Sequence, residues 1–138
     1  ALESGADGVH VGQKDIQGRD IRALIGPDKI LGVTANTVEA ALRAVEMGAD
    51  YIGVGAVFGS VTKEDAIPLS RETLLAITRA VSLPVVAIGG VNESNILSLA
   101  GAGVDGVAVI SALFAQPDAE AAARRLRSLS ERMALGVV

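Results

Sequence analysis

The 138-residue chain contains no cysteine and has few basic residues. Without cysteine, the protein can form neither a disulfide framework nor a thiolate metal site, and it has no thiol nucleophile. Twelve lysines and arginines stand against 16 acidic residues, so the chain offers no basic surface for a nucleic-acid backbone. We therefore expect no nucleic-acid partner. Because a cysteine-free chain suits a reducing compartment, we predict a cytoplasmic protein.

Long hydrophobic runs are missing as well. The most apolar stretches, LPVVAIGGV and GVAVISALF, are about half as long as the ~20 residues that a membrane-spanning helix needs. Glycine, proline or serine interrupts these stretches. The sequence also lacks the basic start and apolar run of a signal peptide. We predict no membrane-spanning segment and no membrane partner.

Apolar residues are nevertheless abundant, and they form short strand-like runs. Half of the residues are hydrophobic and the mean hydropathy is +0.46, which suffices for one domain over residues 1–138 with a substantial core. Five runs rich in β-branched residues are DGVHVG (7–12), KILGVT (29–34), DYIGVGAVF (50–58), PVVAIGG (84–90) and DGVAVIS (105–111). Their nearly continuous hydrophobicity is typical of strands that are covered on both faces.

Helical patterns separate these runs. Apolar residues recur at helical spacing in two sets, which are Val38, Ala41, Leu42 and Val45, and Ala122, Leu126, Leu129 and Met133. Each set predicts a helix with one apolar face. The predicted N-caps are Asn36 or Thr37, Ser70 and Asn92, and the predicted C-terminal glycines are Gly48 and Gly103.

A weak internal repeat supports the same alternation. SGADGVHVG, MGADYIGVG and AGVDGVAVI each place glycine, a small residue and aspartate before a strand. We interpret these aspartates, Asp7, Asp50 and Asp105, as turn residues rather than catalytic ones. Repeated βα units predict a parallel sheet, either doubly wound or closed as a barrel. Polar residues follow the carboxyl ends of the strands, which favours a TIM (β/α)8 barrel, and a complete barrel takes at least about 200 residues. We therefore predict only the later five βα units of one.

Several of these segments together resemble the thiamine-phosphate synthase family. They are GVHVGQKD, GVTANT, ADYIGVGAVFGSVTKEDA, PVVAIGGV and DGVAVIS, and the resemblance extends over residues 5–115. The combination of TKEDA with GVHVGQKD is more specific than the glycine-rich pieces, which many phosphate-binding barrels share. The resemblance implies that the first three strands of the barrel, with a Gln-x-Arg-x-Lys motif and an Asn-Asp metal motif, would lie before Ala1.

The resemblance implies roles for two residues near the first two strands. Asp15 corresponds to a Mg²⁺ ligand, and a carboxylate is a suitable hard oxygen ligand for that ion. Asp15 could instead cap the following helix. Thr34 stands where the family commonly has serine, and its hydroxyl could donate to a diphosphate oxygen or join an N-cap with Asn36 or Thr37. We interpret His10 as a packing residue.

By the same resemblance, the segment VFGSVTKEDA corresponds to the diphosphate site. Thr62 and Lys63 match family residues that bind the phosphate groups, and Ser60 adds a hydroxyl. A lysine is a compact charge that neutralises a leaving group. Gly59 and Ala56 stand where the family usually has proline. From the residues alone, the loop could equally be a solvated surface segment.

The resemblance places the thiazole phosphate at the carboxyl ends of the last two strands. Backbone N–H groups at Gly89, Gly90, Ile110 and Ser111 would bind it, since glycine lets the backbone approach an anion closely. The glycines could instead serve tight turns.

The implied activity joins hydroxymethylpyrimidine diphosphate to thiazole phosphate, with Mg²⁺ as cofactor and phosphorylated small molecules as substrates. The alternatives are a thiazole tautomerase-like enzyme, disfavoured because Ala56 replaces the required histidine, and a non-catalytic phosphate-binding barrel fragment. We expect the chain to be inactive alone, and to form a homo-oligomer or associate with an N-terminal half.

Overall fold

A computed structural model describes residues 1–59 and 68–138, in which strands alternate with helices. The elements are β1 (Gly8–Val11), α1 (Gln13–Ile16), α2 (Ile21–Ile25), β2 (Ile30–Thr34), α3 (Val38–Glu46), β3 (Tyr51–Val54), α4 (Arg71–Ala80), β4 (Val85–Ile88), a 3₁₀ helix (Ile96–Leu99), β5 (Gly106–Ala108), α5 (Ser111–Phe114) and α6 (Ala119–Ala134). Each strand lies within one of the five predicted runs, which confirms their positions. Within these described ranges, no helix has the length and apolarity to cross a bilayer.

The strands form one parallel sheet in the order β1-β2-β3-β4-β5. The prediction of an α/β fold built from βα units is therefore confirmed. In the described part of the chain the sheet is open, with β1 and β5 at its edges. Parallel pairing brings the carboxyl ends of all five strands to the same edge of the sheet.

The core lies between the sheet and its helices. Alternate strand residues point to this layer, and Leu31, Val33, Ile52 and Val54 are completely buried. Burying each large aliphatic side chain contributes about 1.5–3 kcal/mol. The helices supply Ile77, Leu126 and Met133, among others, to the same cluster. This packing holds the helices against one face of the sheet, and the alternate residues of each strand lie on the other face.

The opposite face of the sheet is open. Ile30 and Ile88 lie on it with 53% and 41% of their surfaces exposed, and Ile110, just after β5, is 68% exposed. The expectation that both faces are covered therefore holds only on the helical side. In a closed barrel, this second face points into the barrel and is covered by side chains of other strands.

The predicted helix faces are confirmed in α6 and only partly in α3. In α6, Ala122, Leu126 and Met133 are buried. In α3, the buried residues are Ala40, Ala41 and Ala44, whereas Leu42 and Val45 are 46% and 45% exposed. The prediction for Leu42 and Val45 was wrong because alanines, which allow close approach to the sheet, define the buried face of this helix.

The N-cap predictions are confirmed at two positions and wrong at the third. The hydroxyls of Thr37 and Ser70 accept N–H bonds at the starts of α3 and α4. Asn92 begins no α-helix, and the segment after β4 contains only the 3₁₀ helix. The Asn92 side chain instead accepts the N–H of Ser94 at 2.9 Å. Such local bonds compete with helical ones.

Two of the repeated aspartates join neighbouring strands. The Oδ2 atom of Asp50, before β3, accepts the N–H of Leu31 in β2 at 2.7 Å. Asp105, before β5, accepts the N–H of Val85 in β4 in the same way at 2.9 Å. Both carboxylates are therefore structural, but they bond to the neighbouring strand rather than within their own turns. At Asp7 it is the backbone carbonyl, not the carboxylate, that bonds to the next strand, because it accepts the N–H of Ile30.

Asp50 should make stability depend on pH. The N–H of Leu31 and then the guanidinium of Arg22 hold the pKa of the Asp50 carboxyl below its ordinary value. The resulting stabilisation is complete above the unfolded pKa of about 3.9 and is lost as the pH falls through the lower folded value. We expect Asp50→Asn to reduce the free energy of unfolding more at about pH 7 than at about pH 3.

Urea denaturation at both pH values measures the difference. Arg22→Met is the control, because it removes the cation but leaves the Leu31 bond, and it should keep part of the pH dependence. Equal losses for Asp50→Asn at the two pH values would contradict this account.

Candidate active site at the carboxyl edge of the sheet

The candidate site residues that the structure describes all follow the carboxyl ends of strands. Asp15 lies after β1, Thr34 ends β2, Gly89 and Gly90 follow β4, and Ile110 and Ser111 follow β5. Since the strands are parallel, the topology brings these residues to one edge of the sheet. This is the edge at which the catalytic sites of βα barrels lie.

Gly89 and Gly90 form a loop after β4, which we call the double-glycine loop. Its carbonyl groups accept hydrogen bonds from within the protein. The N–H groups of Val57 and Phe58 donate to the carbonyls of Ile88 and Gly89 at 2.9 and 3.0 Å. The side-chain amide of Asn95 donates to the carbonyl of Gly90 at 2.8 Å. Among the described residues, the N–H groups of Gly89 and Gly90 have no acceptor. The loop therefore presents donors for an anion.

Both glycines are required by the backbone. Gly89 and Gly90 have φ angles of 104° and 67°. A Cβ atom at Gly89 would lie 2.5 Å from the Cα of Ala56, and one at Gly90 would lie 3.1 Å from the Cβ of Phe58. The tight-turn interpretation and the anion-binding one are therefore compatible, because the packing requires glycine and, within residues 1–59 and 68–138, leaves the two N–H groups without an acceptor.

Asn95 was missed in the sequence. Its amide donates to Gly90, and its Oδ1 accepts the N–H of Asn92 at 2.8 Å. It thus fixes the double-glycine loop from the side of the 3₁₀ helix. The available signal was the pair of asparagines three residues apart shortly after the glycines, which is as compatible with a side-chain-supported turn as with a helix start.

The end of β5 lies beside this loop. Ile88 in β4 pairs with Ala108 in β5, so Ile110 and Ser111 follow the partner strand at nearly the same level. The carbonyl of Ile110 accepts the N–H groups of Leu113 and Phe114 at 3.1 and 2.9 Å. Within the described ranges, the N–H groups of Ile110 and Ser111 have no acceptor.

Asp15 makes a local capping bond. Its Oδ2 atom accepts the N–H of Gly12, the N-cap of α1, at 2.8 Å. Asp15 therefore lies inside α1 and does not cap the following helix, as the alternative to metal binding had it, because the N-cap of α2 is Asp20. Asp15 is exposed. No group of three or more histidine, aspartate or glutamate residues suited to a metal ion occurs in residues 1–59 and 68–138.

Thr34 is not a helix cap. Thr37 has that role in α3, whereas the Thr34 hydroxyl lies 2.8 Å from Nε2 of His10. The side chain of Gln13 donates to the Thr34 carbonyl at 2.6 Å. His10 is in turn 2.9 Å from the hydroxyl of Tyr51 through Nδ1. The hydroxyl of Thr34 is therefore hydrogen-bonded to His10 at the edge of the open face.

His10 is hydrogen-bonded, as expected, but it lies on the open face rather than in the core. Partial burial lowers the pKa of its imidazole, and the nearby Asp15 carboxylate opposes this shift. Strand alternation alone did not determine which face His10 occupies. Tyr51 was not singled out at all. The sequence did offer one sign of this group, which is a polar side chain in each of three adjacent strands. His10 lies within β1, Thr34 ends β2 and Tyr51 begins β3.

Ser60, Thr62 and Lys63 lie outside the described residues. The described residues on either side are close together, because the N–H of Leu69 donates to the carbonyl of Ala56 at 2.8 Å. Phe58, on the same segment, bonds to Gly89. The described residues that flank positions 60–67 thus lie beside Gly89.

Comparison with known proteins identifies the family. The family model for thiamine monophosphate synthase matches residues 1–113. The thiamine-phosphate synthase of Ruminiclostridium cellulolyticum is 53% identical over 126 residues, covering 91% of this chain and 60% of that protein. The relative from Roseiflexus sp. is 52% identical over 94% of this chain and 55% of its own length.

Solved structures agree with the sequence comparison. Thiamine phosphate pyrophosphorylase from Pyrococcus furiosus superposes with a TM-score of 0.84 and 40% identity, covering 96% of this chain and 63% of that one. The chain thus spans about 60% of the length of the curated relatives it matches. Its five units have the architecture of a partial TIM barrel. By sequence and by structure, this chain belongs to the thiamine monophosphate synthase family.

Proposed function

We propose that the protein functions as a thiamine-phosphate synthase, a transferase in thiamine biosynthesis. It would join hydroxymethylpyrimidine diphosphate to thiazole phosphate and release diphosphate. Family membership supports this activity. The observation that carries it is the double-glycine loop, in which the carbonyls of Gly89 and Gly90 are engaged while their N–H groups have no acceptor among the described residues, at the edge where barrel enzymes bind phosphate.

The reaction exchanges one bond at the pyrimidine methylene carbon. Its C–O bond to diphosphate breaks, and the electron pair leaves with the diphosphate. The thiazole nitrogen then forms a C–N bond to the resulting pyrimidine cation. Little acid–base chemistry is needed, so the protein acts mainly by aligning the substrates and stabilising negative charge.

The diphosphate would be held by donors from two strand ends. Lys63 supplies a positive charge, and Ser60, Thr62 and Thr34 supply hydroxyls. The bonded position of Thr34 at the end of β2 supports its part in this group. These contacts strengthen as charge develops on the leaving group, which is the condition for lowering the barrier.

The thiazole phosphate would bind at the neighbouring strand ends. Gly89, Gly90, Ile110 and Ser111 would donate their backbone N–H groups to its oxygens. The adjacency of β4 and β5 supports this shared site. The two anionic substrates would then lie side by side across the edge of the sheet, which orients the thiazole nitrogen towards the methylene carbon.

Asp15 fits a partial Mg²⁺ site. Its Oδ2 accepts the Gly12 N–H, whereas Oδ1 has no hydrogen-bond partner among the described residues. Mg²⁺ in such sites binds one or two carboxylates together with water and substrate phosphates, so a single exposed carboxylate is compatible with it. When bound, Mg²⁺ would neutralise charge on the diphosphate. Asp15 would hold it.

We also propose a cytoplasmic location and self-association or association with a complementary barrel segment. In the part of the chain that the structure describes, β1 and β5 form the edges of the sheet and Ile30, Ile88 and Ile110 are exposed, which supports association. Sedimentation of the 138-residue chain tests it, since a stable monomer would contradict the proposal.

Substrate titration and structure determination test the proposed function. We expect thiazole phosphate to bind, and a crystal grown with phosphate to show an anion contacting the N–H of Gly89 or Gly90 and that of Ser111. A site without an anion at saturating phosphate would count strongly against this assignment. Formation of thiamine phosphate by the polypeptide as its gene encodes it tests catalysis. Binding without turnover there would identify a phosphate-binding protein instead.

A further inference from the structure

Three side chains from three adjacent strands form a hydrogen-bonded row on the open face. The Tyr51 hydroxyl is 2.9 Å from Nδ1 of His10, and Nε2 of His10 is 2.8 Å from Oγ1 of Thr34. The register explains the row, because His10 pairs with Gly32, which in turn pairs with Tyr51. The row ends at Thr34, the last residue of β2.

Two glycines leave room for this arrangement. A Cβ atom at Gly32 would collide with the Tyr51 ring, which lies across β2 towards His10. A Cβ atom at Gly53 would lie 3.0 Å from Cε1 of His10. The tyrosine and histidine rings are 5.5 Å apart between centroids. Their positions are thus built into the sheet rather than adopted by freely rotating surface side chains.

The row can have only one of two hydrogen-bond directions while His10 is neutral. A neutral imidazole has one N–H donor and one acceptor nitrogen. A phenol is a better donor than an aliphatic hydroxyl, so Tyr51 should donate to Nδ1 and the Nε2–H of His10 should donate to Thr34. Oγ1 of Thr34 then accepts, and its own proton is free to point elsewhere. In the opposite tautomer, the Thr34 hydroxyl would donate its proton to Nε2 of His10. Only the lone pairs of Oγ1 would then face an anion.

We propose that Tyr51 and His10 are positioning residues that keep the Thr34 hydroxyl as a donor to a diphosphate oxygen. This inference rests on the proposed function for the identity of the anion. Gln13 complements the arrangement, since its bond to the Thr34 carbonyl fixes the backbone of the same residue. Neither Tyr51 nor His10 needs to touch the substrate, because both act through Thr34.

The tautomer can be observed directly because His10 is the only histidine in the chain. A ¹⁵N NMR spectrum of the histidine-labelled chain near neutral pH should show a protonated Nε2 and an unprotonated Nδ1. Tyr51→Phe, which removes the donor to Nδ1, should shift the population towards the Nδ1–H form. A wild-type chain with protonated Nδ1 and unprotonated Nε2 would overturn the proposal.

Affinity for inorganic diphosphate tests the consequence for binding. We expect Tyr51→Phe and Thr34→Val each to weaken it by roughly tenfold, the effect of one hydrogen bond to a charged group. The double variant should be no weaker than Thr34→Val alone, because Tyr51 acts only through Thr34. Additive losses would overturn the proposal. Thr73→Val in α4 is the matched control and should leave diphosphate affinity unchanged.

The two measurements also separate this inference from the proposed function. If the unsubstituted polypeptide as its gene encodes it had no affinity for diphosphate, the proposed function would be contradicted. The imidazole tautomer would still decide whether Tyr51 and His10 direct the Thr34 hydroxyl.

Discussion

Lys63→Ala should reduce thiamine phosphate formation by on the order of 100-fold or more, as expected for the loss of a preorganised electrostatic donor. Lys63 is proposed to balance the negative charge that accumulates on diphosphate as the C–O bond breaks. Because this charge is greater in the transition state than in the substrate, the loss should affect kcat more than KM. Steady-state kinetics of the gene-encoded polypeptide measure both.

Two further variants make the Lys63 experiment specific. Lys63→Arg retains the charge and should keep more of the rate than Lys63→Ala. Arg132→Ala removes a cation from α6, in the helical layer, and should leave the kinetics unchanged. Asp15→Asn should raise the Mg²⁺ concentration required for half-maximal rate. Near-normal kinetics in both Lys63→Ala and Asp15→Asn would exclude this assignment of the site.

Gly89→Ala should reduce the free energy of unfolding by about 3 kcal/mol or more, from backbone strain together with overpacking. The residue has a φ of 104°, and the added methyl would lie 2.5 Å from the Cα of Ala56. Displacing this contact also moves the loop that presents the N–H groups, so phosphate affinity should fall. Urea denaturation and phosphate titration measure the two effects.

Gly106→Ala is the matched control. It adds the same methyl group to a neighbouring strand, where nothing lies within 4 Å of the new Cβ and φ is not positive. We expect its stability and phosphate affinity to remain close to those of the unsubstituted chain. If Gly89→Ala behaved like Gly106→Ala, the described packing between the double-glycine loop and residues 56–59 would be incorrect.

Hydrophobic runs predicted the strands, because a buried parallel strand needs apolar side chains and a sharp turn at each end. The aspartates before β3 and β5 were expected to act within their turns, whereas they accept N–H groups of the neighbouring strand, which depends on strand pairing. Asn92 misled the prediction because an asparagine before an apolar segment is as compatible with an N-cap as with a side-chain-bonded turn. The bond from Asn95 to Gly90 decides between them, and it depends on the three-dimensional path of the loop.

The candidate site was predicted unevenly for the same reason. Gly89, Gly90 and Ser111 follow strands, and parallel topology is enough to place them at one edge. The connection of Thr34 to His10 and Tyr51 depends on the register of three strands, which no single segment encodes. The exposure of Leu42 in α3 was also not predictable from its own segment. It depends on how closely the alanines of this helix approach the sheet.

The sequential strand order has a consequence for cooperativity. Within the described ranges, each strand pairs only with strands of adjacent βα units, so the sheet resembles a linear array of units. In such an array, opening spreads from the ends inwards and each lost unit breaks one seam. Amide protection should therefore be greatest at β3 and decline towards β1 and β5. The candidate site is thus assembled from units of graded stability, with Thr34 nearer the persistent centre than Ser111.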